Sequence, residues 1–142
     1  MPAFRIFVSF LLIVLICSTS IFAESVGKVA SVEGKGRLLR EGKKIAIARN
    51  QEIFQGDTVK TLTKKSLVQI GFKDGTAISI SGKTEMVIKK KIISAKKSST
   101  LLKLLKGKVR SKVKNLKPGS DYKVATKTAV AGVRGTDFVV RK

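Results

Sequence analysis

Between Ser66 and Phe72 the chain alternates with a period of two. Val68, Ile70 and Phe72 fall on one face and Leu67, Gln69 and Gly71 on the other. Successive side chains of a strand point to opposite sides, so this is the spacing of a strand with one face in a core. Lys73-Asp74-Gly75-Thr76 follows at once, and Asp-Gly supplies the positive φ that a tight two-residue hairpin turn requires. Ile78 and Ile80 continue the period on a returning strand. A chain centred on this hairpin, with similar short runs on both sides, is expected to be all-β and built of many short antiparallel strands.

The flanking runs follow the same rule. Val26 to Arg40 carries Val26, Val29, Val32, Leu38 and Leu39, interrupted by Gly27, Gly34 and Gly36, which favours two short strands over a helix. Ile45 to Ala48 and Val59 to Thr61 read as further strands. Gly56-Asp57 between them is a turn in which the Asp57 side chain holds its own backbone. Met86 to Ile88 and Ile92-Ile93 form another strand or edge around Lys89-Lys90-Lys91, and Ala95 to Thr100 reads as a polar loop.

Leu101 to Val113 is ambiguous. Leu101, Leu102, Leu104, Leu105, Val109 and Val113 fall close to helical spacing among cations, the pattern of a surface-seeking amphipathic helix. Gly107 interrupts it, and from Lys106 to Lys114 small or apolar residues alternate strictly with basic ones. Strands are favoured. Lys117-Pro118-Gly119-Ser120 is a turn.

The first residues differ in kind. Arg5 precedes an eleven-residue apolar run, Ile6 to Ile16, broken only by Ser9, and Ala23 stands before Glu24. This is the order of a secretory signal peptide cleaved between Ala23 and Glu24, and the run is shorter than the ~20 residues of a spanning helix. Residues 1–23 are expected to be a leader and residues 24–142 a single exported domain without a transmembrane segment. The only cysteine, Cys17, lies in the leader, so no disulfide framework is expected. Some 119 residues suffice to bury roughly 60–70% of the unfolded surface.

Composition narrows the chemistry. The chain carries no histidine and, past the leader, no cysteine. Ser-His and Cys-His nucleophiles are excluded, and a transition-metal site with nitrogen and sulfur ligands has nothing to be built from. The nine acids are scattered. No enzymatic activity, cofactor or metal is expected. The formal charge of +21 comes mostly from lysine, and only Arg5 of its basic residues lies in the leader. Such a surface favours anionic partners. Lys103, Lys106, Lys108, Arg110, Lys112, Lys114 and Lys117 are the candidate contacts for lipopolysaccharide, anionic lipid or another polyanion. With one Tyr and no Trp there is little to stack on bases, so no specific nucleic-acid recognition is expected.

The C-terminal stretch Tyr122 to Val140 carries the most specific pattern. Tyr122, Val124 and Thr126 alternate with Lys123 and Ala125, and Phe138 to Val140 is a second β-rich run. Between them Gly132 and Gly135 flank Val133-Arg134, so the backbone is expected to bend or approach a neighbour closely on both sides. The run TKTAVAGVRGTDF, Thr126 to Phe138, resembles the diagnostic motif of the FecR family domain of the bacterial envelope. Gly56 to Thr61, Ser66 to Gly75 and Leu104 to Val109 are similar to three further segments of that family, in order. On this resemblance Gly56, Asp57, Phe72, Asp74, Gly75, Gly107, Thr126, Gly132, Val133, Arg134, Gly135, Thr136 and Phe138 are motif residues with structural roles. Arg134 is read as capping carbonyls or pairing with Asp137, with an anion contact as the alternative.

The resemblance implies a twisted, solenoid- or roll-like β fold. Periodicity alone leaves a β-sandwich open. The resemblance also implies a non-enzymatic binding or scaffold module of the periplasm or cell envelope, related to domains that relay a receptor's state in signal transduction. Only Met1 to Arg5 precede the apolar run, so no cytoplasmic anti-sigma segment is expected. The partner is expected to be an envelope protein that adds a strand at Phe138 to Lys142. The competing expectation is a secreted cationic domain attached to anionic envelope material.

Overall fold

The structure, a computed structural model, describes residues 23–114, 116–133 and 137–142. The strands are β1 (Gly27–Glu33), β2 (Gly36–Arg40), β3 (Lys43–Ala46), β4 (Glu52–Ile53), β5 (Thr58–Thr61), β6 (Leu67–Phe72), β7 (Ala77–Ile80), β8 (Glu85–Ile93), β9 (Ser98–Lys106), β10 (Lys108–Lys112), β11 (Asp121–Ala125), β12 (Val130–Val133) and β13 (Asp137–Arg141). No helix occurs among the described residues.

The strands form two sheets. One is six-stranded in the order β13-β10-β7-β6-β1-β4, the other seven-stranded in the order β12-β11-β9-β8-β5-β2-β3. The six-stranded sheet is antiparallel throughout. In the other, β11 runs parallel to β9, which corrects the expectation of purely antiparallel pairing. The two sheets share one core. Val29, Ile70, Ile78, Ile80 and Val109 come from the first, and Leu38, Val59, Met86, Ile88, Leu102, Leu104, Tyr122 and Val124 from the second. This is a sandwich-like arrangement, in which each strand's alternation puts one set of side chains between the sheets.

Two local devices set which residues reach that core. In β8 Ile88 pairs with Leu102 and Lys90 with Leu101, so Lys89 is an extra residue in the ladder. Such a bulge exchanges inside for outside. Met86 and Ile88 face the core before it and Lys91 after it, while Ile92 is turned outward at 51% exposure. The second device is Gly107, where the chain leaves the seven-stranded sheet and enters the six-stranded one. Its φ is +96°, and a Cβ there would lie 2.2 Å from Thr84 Oγ1. Buried positions are even-numbered in β9 and odd-numbered in β10. This change of parity is what imitates helical spacing between Leu101 and Val113.

Three local expectations are corrected. The Asp-Gly turn after β6 is a three-residue loop. Gly75 N donates to Phe72 O at 3.1 Å and Phe72 N to Thr76 O at 2.8 Å, and in this loop only Gly75, at φ +86°, has positive φ. Residues 98–100 are not loop but the start of β9, with Ser98 and Thr100 facing inward. Ala131 to Val133 is not a corner but part of β12, in which Gly132 pairs with Lys123.

Candidate functional site

The bulge in β8 places a lysine where the sequence offers no reason for one. The Lys91 side chain has no exposure, and its Nζ donates to Asp74 Oδ2 and to Thr100 Oγ1, each at 2.6 Å. Nζ also sits 4.5 Å from the centre of the Phe72 ring and 6.0 Å from that of Tyr122. Thr76 N donates to Asp74 Oδ1 at 3.0 Å, so one carboxylate closes the β6–β7 loop and ties it to the opposite sheet. Burial pulls the Lys91 ammonium below its ordinary range despite the carboxylate beside it. Burial alone would raise Asp74, but the hydrogen bond and charge of Lys91 hold it below the usual carboxylate range.

The second cluster lies at the C-terminal edge. Tyr122 O–H donates to Ser111 Oγ across the sheets at 2.8 Å, and its ring meets Phe138 edge-on at 5.8 Å. Burial pushes the Tyr122 hydroxyl upward, so it remains a donor. Outside the core, Arg110 grips Asp137 with two hydrogen bonds, the Nε to Oδ1 one at 2.9 Å. Asp137 is therefore held by β10, while its expected pairing with Arg134 involves a residue outside those described. Arg134, Gly135 and Thr136 lie outside the described residues.

On one side β13 pairs with β10, from Lys108↔Arg141 to Lys112↔Asp137, and it is the outermost described strand of its sheet. Gly107 and Lys142 exchange both backbone hydrogen bonds, at 3.1 and 2.8 Å. Bonded and non-bonded pairs alternate in an antiparallel ladder. Val140 and Phe138 therefore also turn their backbone groups to β10, while Val139 and Arg141 direct theirs to the open side. Val139 is 50% exposed, and Val130, on the edge strand β12 of the other sheet, is 64% exposed.

The remaining motif residues act on the backbone. Gly56 has φ +91°, and Asp57, buried, accepts from Phe54 N at 2.8 Å. Sequence reasoning missed its second partner. Arg40 donates to Asp57 through Nε at 2.9 Å and Nη2 at 2.8 Å, with its guanidinium 4.4 Å from the Phe54 ring centre. Thr126 N donates to Ala129 O at 2.8 Å to close the β11–β12 turn. Among the described residues nothing lies within 4 Å of where a Gly132 Cβ would stand, and Gly132 lies within β12. Val133 pairs with Tyr122. Lys91 and Thr100 were also missed, since only the bulge turns them together.

The basic candidates do not form one patch. Lys103 and Lys106 belong to β9 in the seven-stranded sheet, whereas Lys108, Arg110 and Lys112 belong to β10 in the other. Lys114 and Lys117 lie on the segment after β10, where Lys117 Nζ donates to Ala95 O at 2.7 Å. Ala23 and Glu24 are exposed at the start of the described chain. The leader itself lies outside the described residues.

Comparison with known proteins bears on this arrangement. Among solved structures, a chain described as a cell surface anchoring domain is similar at 27% identity, over 44% of this chain and 82% of its own, with a TM-score of 0.41. No curated protein matches. The family described as FecR protein matches residues 57–142, from the Arg40-bound Asp57 to the end of the β13 edge. That match spans more than half of the chain, and the chain belongs to the FecR family.

Proposed function

We propose that this protein is an exported, non-enzymatic module of the bacterial envelope that binds a protein partner by accepting a strand along β13. The observation that carries this is the open side of β13. Backbone groups of Val139 and Arg141 point away from β10, and no described strand covers them. Unpaired edges are templates for strand addition, and native proteins normally blunt them with charge or brevity. The edge strand β3 carries Lys43 and Lys44, and the edge strand β4 has two residues. The edges β12 and β13 expose Val130 and Val139, with the charged Asp137 and Arg141 at the ends of β13.

Beyond the opening pairs β4-β1 and β3-β2, strand number climbs along both sheets. This supports reading the two sheets as faces of a roll wound along one axis, with β12 and β13 as its last turn. A partner strand would then extend an existing progression.

The test is Val139→Pro. Proline removes one outward N–H and leaves the ladder to β10 intact, the edge position where it is tolerated in sheets. Wild type and variant are compared in pull-downs from native envelope extract washed at high salt. A discrete protein retained by wild type and lost from a folded variant is the expected outcome. Equal retention would remove the strand-addition reading.

A further inference from the structure

The end of the sandwich that carries the β6–β7 loop holds a cleft of about 200 Å³. Three segments distant in sequence build it: Lys73 and Asp74 from that loop, Ile93, Ser94, Lys97 and Ser98 around the β8–β9 turn, and Lys114, Leu116 and Lys117 from the segment after β10. Among the described residues four lysines and one acid, Asp74, line this small cavity. That carboxylate is already neutralised by the buried Lys91. Lys73 is shared with Glu24, 3.5 Å away and exposed. Lys97, Lys114 and Lys117 make no ion pair among the described residues, and Lys117 is anchored on the Ala95 carbonyl, an acceptor that leaves its charge uncompensated. Ile93 and Leu116 supply an apolar wall.

We propose that this cleft binds a phosphate group on an anionic ligand. Its volume lies below the roughly 300–1,000 Å³ of pockets that enclose a whole small molecule, so it fits a charged head group. Lysine binds phosphate as a point charge from several directions, without the bidentate geometry of arginine. The buried Lys91–Asp74 pair gives the site its sign, because it removes the one carboxylate that would repel the ligand. The neighbouring cavity of about 390 Å³ shares Lys73 and Ile93 and adds the apolar Val26 and Ile92 beside the polar Glu24, Ser25 and Gln55. Phosphate could arrive on a soluble phosphorylated molecule or on a lipid.

The experiment separates these sources and separates the cleft from net charge. Pyrophosphate is titrated calorimetrically into the purified protein, and vesicles of phosphatidylglycerol in phosphatidylcholine are tested by co-sedimentation. Lys97→Gln with Lys114→Gln is compared with Lys64→Gln with Lys65→Gln, which removes equal charge at the other end of β6, about 20 Å away. All four lysines are exposed, and circular dichroism checks the fold.

The cleft pair is expected to weaken binding about tenfold or more, and the distant pair by less than about twofold. Selective loss with pyrophosphate identifies the phosphate group itself, and selective loss with vesicles alone identifies a lipid head group. Equal loss in both pairs, or saturable binding of neither probe, overturns the proposal. Val139→Pro is expected to leave both probes unaffected, so this test fails or succeeds independently of strand addition.

Discussion

A lysine ammonium shut away from solvent is stable only with its partners in place. Removing one member of a buried ion pair strands the other charge, at a cost of about 3–5 kcal/mol, while replacing both is often close to neutral. Asp74→Asn keeps the bond to Thr76 N and deletes the charge opposite Lys91. It should lower unfolding free energy in denaturant by about 3–5 kcal/mol, and adding Lys91→Met should recover most of that loss. The Asp74 carboxyl is held below its ordinary 3.8 in the fold. A carboxyl with a depressed folded pKa contributes stability fully above its unfolded value and loses it as pH falls through the folded one. Denaturant melts from pH 6 down to about pH 2 should therefore show an acid-labile contribution in wild type that Asp74→Asn lacks. An identical pH dependence in both would sink this account. Lys91 was not legible, because Lys89, Lys90 and Lys91 are identical in kind and only the bulge chooses among them.

Among the elements, β9 and β10 show where alternation helps and where it misleads. Each was readable as a strand, but the corner between them reverses parity and so resembles a helix. The corner also yields a prediction. Gly107→Ala would force a side chain at positive φ onto Thr84, costing about 2–5 kcal/mol in chemical denaturation. Gly132→Ala, which meets nothing among the described residues, should change stability by less than about 0.5 kcal/mol. If both substitutions proved neutral, Gly107 would not be the corner described here. The same contrast separates two glycines that one family motif pattern treats alike. It was hidden in the sequence because a glycine needed for φ and one merely tolerated in a strand are the same residue.

For the molecule as a whole, charge and topology work against each other. A formal +21 opposes compaction through self-repulsion, and salt screens it within about 10 Å at 0.1 M. The melting temperature is therefore expected to rise by a few degrees between low salt and about 0.5 M sodium chloride, followed by circular dichroism. A fall would mean that the exposed ion pairs, such as Lys60–Glu85 at 3.6 Å, outweigh the repulsion. The basic stretch from Lys103 to Lys117 is contiguous in sequence but divided between two sheets. The lysines that meet in one cleft, Lys73, Lys97, Lys114 and Lys117, come from three separate segments.

What could be read from the residues alone was whatever depends on near neighbours. Period-two alternation gave the strands, Asp-Gly and Pro-Gly the turns, and four ordered motifs the family. Which strands pair, the parallel β9–β11 contact, the bulge that buries Lys91, the pairing of Asp137 with Arg110 and the open edge at Val139 depend on residues far apart in the chain. A backbone group can bond equally well to many strands, and only the packing of two faces into one core selects among them.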